Sequence, residues 1–237
     1  MLGRSHRSST IWGVWTSWAV GAFSTFMVLG LILSLGFACR PVQADCSNGD
    51  CVCEVGASCD FECEAPPCHV DCAGDNPECV AACGNGDCRC GAGSTCTFEC
   101  QSPPCHVDCE AQTECRGTCA NGDCTCVAGS RCDFACDAGP CHVTCEGGHD
   151  LCAGVCANGT CRCGVDSRCD FECMDANCPV VCEAGSICTL RCPGGQIGQQ
   201  GCRFDTCAAG EPTRCEGREG EEPALVCGAG CEVLAES

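Results

Sequence analysis

Three histidines, His69, His106 and His142, each follow directly on a cysteine and stand 37 and 36 residues apart. Thiolate and imidazole form the donor set that zinc prefers, so the first chemistry on offer is metal storage by a metallothionein-like thiol protein. Two features oppose it. The C-x2-C spacing of zinc sites is missing throughout, and Pro179 fills the fourth equivalent position. With the thiols paired instead, no metal or other cofactor is expected. The histidines then become solvated surface groups beside Asp71 and Asp108.

The acids suggest a second site. Asp60, Glu62, Glu99, Asp133, Asp170 and Glu172 sit at outward positions of recurring segments. Stacked in register they would form a ladder that either collects a divalent cation such as calcium or simply solvates the surface. No Ser-His-acid or Cys-His set, P-loop, dinucleotide fingerprint or H-E-x-x-H run is present, so an enzyme is not expected.

What must position these residues is a tandem repeat. Four copies of C-x4-C-x-C-x5-C-x3-C-x4-C-x3-C, each closed by an eighth cysteine, span 46–82, 83–118, 119–155 and 156–191. The first holds Cys46, Cys51, Cys53, Cys59, Cys63, Cys68, Cys72 and Cys79; the second Cys83, Cys88, Cys90, Cys96, Cys100, Cys105, Cys109 and Cys115. The third holds Cys119, Cys124, Cys126, Cys132, Cys136, Cys141, Cys145 and Cys152; the fourth Cys156, Cys161, Cys163, Cys169, Cys173, Cys178, Cys182 and Cys188. Each copy has an Asn-Gly pair between its first two cysteines, the strongest short signal for a hairpin turn. Gly56, Gly93, Gly129 and, in the fourth copy, Asp166 mark a second turn that needs a left-handed backbone.

Between turns run alternating segments such as Cys59-Asp60-Phe61-Glu62-Cys63, read as short strands with cysteines and one apolar residue inward. Phe98, Phe134 and Phe171 repeat the inward aromatic. Cysteines four apart on one strand lie roughly 13 Å from each other, so disulfides must run between strands or coils. Eight cysteines allow 105 pairings, and spacing does not choose among them. The expected fold is a small disulfide-rich all-β chain, either a solenoid-like stack or a string of disulfide-clasped hairpins. The absence of any linker between copies favours the stack. Residues 192–237, with Cys192, Cys202, Cys207, Cys215, Cys227 and Cys231, leave the period and read as a C-terminal cap or module.

Composition agrees. Of 12 basic residues Arg4, Arg7 and Arg40 precede residue 45, leaving 9 against 32 Asp and Glu, a net charge of −23 that excludes nucleic acid as a partner. Only 24 of these 193 residues are Leu, Ile, Val or Phe, whereas 38 are Cys, so cross-links must take over from an ordinary core.

Residues 1–44 read as an export signal or N-terminal membrane anchor: Arg4, His6 and Arg7 precede an uncharged run that is most apolar from Ala19 to Ala38. Val42-Gln43-Ala44 suits cleavage after Ala44. Gly36-Phe37-Ala38-Cys39 offers the alternative of acylation at Cys39, and either event leaves an even 38 thiols. All three readings place the repeats outside the cytoplasm, secreted or attached to the cell surface.

Cys119-Ala-Asn-Gly-Asp-Cys124-Thr-Cys126 resembles the centre of an epidermal-growth-factor-like module, over less than a third of each repeat. The chain as a whole resembles the cysteine-rich repeat proteins of bacterial surfaces. These resemblances imply export, and a secreted inhibitor or ligand as one alternative. The primary expectation is a structural or adhesive protein meeting an extracellular polymer or protein.

Overall fold

Alternation of inward Cys, Val or Phe with outward polar residues makes each short segment a strand with one wet and one dry face. The computed structural model describes residues 42–47, 49–65, 67–174, 177–192, 197, 201–217 and 222–235. Its first strands are β1 (Val42–Ser47), β2 (Asp50–Cys53), β3 (Ser58–Ala65), β4 (His69–Cys72), β5 (Glu78–Gly84), β6 (Asp87–Cys90) and β7 (Thr95–Ser102). There follow β8 (His106–Cys109), β9 (Glu114–Ala120), β10 (Asp123–Cys126), β11 (Arg131–Ala138), β12 (His142–Cys145), β13 (Cys152–Cys156) and β14 (Cys161–Cys163). The last are β15 (Arg168–Cys173), β16 (Cys178–Cys182), β17 (Ile187–Arg191), β18 (Cys202–Cys207), β19 (Thr213–Cys215) and β20 (Ala224–Cys227).

Odd-numbered strands β1 to β17 stack in parallel in one sheet, and even-numbered strands β2 to β18 stack in parallel in a second. The chain therefore winds as a β-solenoid, each coil giving one strand to each sheet, and nine such coils fall among the described residues. The hairpin-string alternative is overturned. The strands flanking Asn85-Gly86, β5 and β6, belong to different sheets, so Asn-Gly makes a corner and not a hairpin. Asn85, Asn121 and Asn158 take φ near +50°, while a Cβ on Gly122 or Gly159 would collide with the carbonyl of Cys105 or Cys141 one coil below. Asn supplies the left-handed turn, and Gly lets the coils touch.

A sequence repeat proves to be two coils. One has Asn-Gly at this corner, as at Asn85-Gly86; the next, in the first three copies, turns through proline, as at Pro103-Pro104 and Gly139-Pro140. The interior alternates in step. Along the first sheet Phe61, Ala81, Phe98, Gly117, Phe134, Gly154 and Phe171 are successive register partners, so a ring stacks on a small residue and then on another ring. Along the second sheet Val70, Cys88, Val107, Cys124, Val143, Cys161 and Val180 alternate in the same way. Within a coil Phe98 is matched by Cys88, and Gly117 by Val107. Bulky residues meet small ones across a narrow core, and all four Phe and all four Val are buried.

Disulfides clamp both corners. Cys83–Cys88 and Cys100–Cys105 close the corner after the first sheet, and Cys90–Cys96 and Cys109–Cys115 the corner after the second. The pattern continues to Cys182–Cys188, always between strands consecutive in the chain and never between stacked strands of one sheet among the described residues. Cohesion along the axis thus rests on sheet hydrogen bonds and on stacking of the interior residues.

The corner after the second sheet is left-handed in every coil, at Gly56, Asp75, Gly93, Gln112, Gly129, Gly148, Asp166 and Gly185. Inside it lies a buried polar file, Asn76, Ser94, Thr113, Ser130, His149, Ser167 and Ser186. The backbone N–H groups of Asn76, Thr113, His149 and Ser167 donate to the hydroxyl of the next coil at 3.0–3.2 Å. These bonds satisfy amides that the sharp turn leaves outside the ladders.

Two file members do the same work with different chemistry. The Asn76 amide donates to the carbonyls of Glu54 and Ala57, at 2.7 and 2.9 Å. At the equivalent position His149 sets its Nδ1 2.8 Å from the Ser130 carbonyl and its Nε2 3.1 Å from that of Cys126. An amide always has two N–H bonds to give, whereas imidazole has two only when doubly protonated. H149N is therefore expected to be at least as stable as the native chain, since its amide can fill both bonds, and thermal melts of the two proteins will read the comparison; a loss of more than about 1 kcal/mol would refute it.

At the C-terminus β20 pairs antiparallel with β17, and β19 with β20, sealing the first sheet as a cap. At the other end β1 runs through Ala44, which is the register partner of Phe61. A cut after Ala44 would remove half of that strand. Cys39 and the rest of residues 1–41 lie outside the described residues, as do the side chains of Cys46 and Cys63.

Candidate functional site

The outer face of the second sheet brings together groups that are far apart in sequence. Register pairs Asp50 with His69, Asp87 with His106 and Asp123 with His142. The intervening coils complete an alternating file along the axis: Asp50, His69, Asp87, His106, Asp123, His142. Neighbouring strands are roughly 4.8 Å apart, so like residues recur every ~9.5 Å. The file arises because the strand starts immediately after the corner: an Asn-Gly coil places Asp or Thr first, and a proline coil places His first.

Each histidine is fixed in the same way. His69 Nδ1 accepts the N–H of Asp87 at 3.1 Å, His106 Nδ1 that of Asp123 at 3.2 Å, and His142 Nδ1 that of Thr160 at 3.1 Å. The carboxylates of Asp87 and Asp123 lie 3.7 and 3.9 Å from the same nitrogens. With Nδ1 accepting, the neutral ring carries its proton on Nε2, so the face presents N–H donors alternating with carboxylate acceptors. This tautomer opposes zinc, whose histidine ligands normally donate from the nitrogen that does not bind metal. Cys68, Cys105 and Cys141 beside these histidines are buried and disulfide-bonded, so they offer no thiolate.

The nearest charged neighbours differ from those expected. His69 and His106 face Asp87 and Asp123 of the following coil, while Asp71 and Asp108 stand in the next file over, separated by Arg89. Arg89 donates from Nε to Glu110 at 2.9 Å, and Glu110 also accepts the Ala92 N–H. That arginine hydrogen bond holds the Glu110 carboxyl below its ordinary range and the Arg89 guanidinium above its own. Arg162 and Glu183 repeat the pair. Arg89 and Arg162 are thus tied to corner glutamates, and Asp71 and Asp108 flank Arg89 on the neighbouring strands.

The six acids expected on the first sheet do not form a continuous ladder. Asp60 is followed across the register by Val80, Thr97 and Arg116 before Asp133, then by Ala153 before Asp170. Glu99 likewise has Ala82 beside it, and Glu172 has Val155. At these separations they do not share one calcium, whose oxygen ligands sit at about 2.3–2.6 Å. Asp170 lies 2.8 Å from Arg191, yet burial dominates and pushes its carboxyl above the usual range. No cluster of three or more His, Cys, Asp or Glu side chains fit to hold a metal occurs among the described residues.

A feature that sequence reasoning misses is a groove of about 480 Å³ along Glu114, Arg131, Asp150 and Leu151, where the longer corner of residues 146–151 overhangs the first sheet. Arg116 meets Glu114 there at 3.6 Å, and Arg131 and Asp133 are their register partners, giving a checkerboard of opposed charges. The alternating Asp/His file is missed as well. Its signal is present in the chain, since Asp or Thr two residues after Asn and His one after Cys fall at matching places in the two half-repeats. Comparison of the chain with protein-family models, curated proteins and solved structures finds no match.

Proposed function

We propose that the protein is exported and serves as a structural or adhesive module of the cell surface or extracellular matrix, its Asp/His face making contact with a polymer or protein lying along the solenoid axis. The observation that carries this reading is the union of two regularities: a disulfide at both corners of successive coils, and donors and acceptors repeating every ~9.5 Å on one exposed face. The first makes a rigid scaffold and suits an oxidising compartment. The second suits a linear partner with its own repeat. Among the described residues no helix is long and apolar enough to cross a membrane.

Fractionation with intact-mass measurement tests the export reading. A mature chain starting at Asp45, one starting at an acylated Cys39, and one retaining Met1 correspond to secretion, lipid attachment and an anchor. Recovery of reduced, intact chain from the cytoplasm would refute all three.

The contact face is tested by co-sedimentation with insoluble surface polymers. Replacing Asp50, Asp87 and Asp123 by Asn alters only exposed groups, so the circular dichroism spectrum should not change. Three exposed charged contacts at roughly 0.5–1 kcal/mol each predict binding weakened about tenfold or more. Undiminished binding by the triple variant would rule this face out.

A further inference from the structure

Seventeen disulfides are described, and fifteen of them, from Cys53–Cys59 to Cys192–Cys202, join a cysteine to the very next cysteine in the chain. Their separations are 5 to 7 residues, with 10 for the last. The remaining two, Cys207–Cys227 and Cys215–Cys231, cross each other in the cap at separations of 20 and 16. From this order we propose that the chain is oxidised vectorially, each cysteine closing on the next to emerge. Its redox partners are then a dithiol oxidase for the coils and a disulfide isomerase for the C-terminal cap alone. The proposal rests on the export reading above.

The chemistry balances bridge by bridge. A chain thiolate attacks the oxidase disulfide to form a mixed disulfide; the thiolate of the neighbouring cysteine attacks the chain-side sulfur and expels the oxidase thiolate. Two chain thiols lose two electrons and two protons, and the oxidase disulfide becomes a dithiol.

Order of emergence selects the partner. When Cys88 appears Cys83 is already waiting, and Cys90 follows only later. Closing a short loop takes about 10–100 ns, whereas a chain emerges at about 5–20 residues per second, so the nearest pair samples contact long before a third thiol arrives. Entropy favours the same choice, because closure becomes costlier as the loop lengthens. Each completed pair leaves the following cysteine to begin a new one, and the coil grows with its corners already clamped.

The same rule fails in the cap. Cys207 first meets Cys215, eight residues on, and Cys227 first meets Cys231, so vectorial oxidation gives Cys207–Cys215 and Cys227–Cys231. Thiol–disulfide exchange must then convert these to the crossed pairs. The rule also makes Cys39 a hazard. It precedes Cys46 by seven residues, a separation that closes readily elsewhere in the chain, as in Cys72–Cys79. A free Cys39 would capture Cys46 and shift every later pair by one, so it must be cut away, acylated or held from the oxidase before pairing begins.

The test is expression of the full chain in Gram-negative hosts lacking either the periplasmic dithiol oxidase or the disulfide isomerase, with acid quenching, alkylation and non-reducing peptide mapping. Without the isomerase, Cys83–Cys88 to Cys182–Cys188 should stay native while Cys207–Cys215 and Cys227–Cys231 replace the crossed pairs. Without the oxidase, the coil thiols should be recovered free. A double Cys207→Ser, Cys227→Ser variant leaves Cys215 and Cys231 as consecutive cysteines and should no longer need the isomerase. Scrambled pairs within the coils of exported protein, or a native crossed cap made without isomerase, would overturn the proposal. Reduced chain held in the cytoplasm of a wild-type host would instead refute the export reading, and this proposal with it.

Discussion

In mild reductant at neutral pH, with no denaturant present, the β-sheet circular dichroism signal and the protease resistance of this protein are expected to disappear together. The bridges close loops of only 5 to 7 residues in the coils. For loops this short each bridge removes about 2 kcal/mol of chain entropy from the unfolded state. Seventeen of them amount to several tens of kcal/mol, well above the 5–15 kcal/mol that is the whole net stability of an ordinary domain. With 24 large aliphatic or Phe residues among 193, the chain has no apolar reserve to replace them, and its charge of −23 favours expansion once the clamps open. Retention of both signals with all thiols shown free by alkylation would refute this account.

Phe134→Ala is expected to be the most damaging single substitution that leaves every cysteine in place, costing about 3–5 kcal/mol. The ring is fully buried, and its register partners on either side are Gly117 and Gly154. Both neighbours lack a side chain with which to collapse into the space. A Cβ on Gly154 would already stand 3.1 Å from Val143, which shows how tightly this layer is filled. The cavity would open between stacked strands of one sheet, which no disulfide joins among the described residues, so the loss falls on the axial stacking that the bridges do not support. Phe61→Ala, whose ring has Ala81 on one side and the first strand on the other, is the comparison and should cost less. Thermal melts of the oxidised proteins measure both, and equal losses would mean that the alternation of ring and glycine is not what packs the interior.

Much of the architecture is legible in the chain because it follows local rules. Two-residue alternation puts Phe61, Phe98, Phe134 and Phe171 inside, and all four are buried. Turn chemistry marks Gly56, Gly93, Gly129 and Asp166 as left-handed positions, and all four have φ between +54° and +79°. The misreadings share one cause. Asn-Gly reads as a hairpin signal because the local conformation is similar; whether the next strand returns beside its predecessor or crosses to another sheet depends on the coil beneath. The groove at Arg131 and the buried file through Asn76 and His149 escape for the same reason, since their partners lie 17 to 23 residues away.

Cysteine content, net charge and two-residue alternation are properties of composition and nearest neighbours, and they alone dictate a disulfide-dependent, acidic, all-β repeat protein. Strand geometry also forbids a bridge between cysteines four apart on one strand, because an extended backbone holds them too far from each other. Three further facts belong to the tertiary level: the 36-residue repeat is two coils, the bridges join sequence neighbours across a corner, and Asp and His alternate along one face. All three depend on the register in which one coil lies on the next. Register is set by the fit of Phe over Gly, of Val over Cys and of a glycine corner against a carbonyl, contacts between residues 17 to 20 positions apart that no local rule contains.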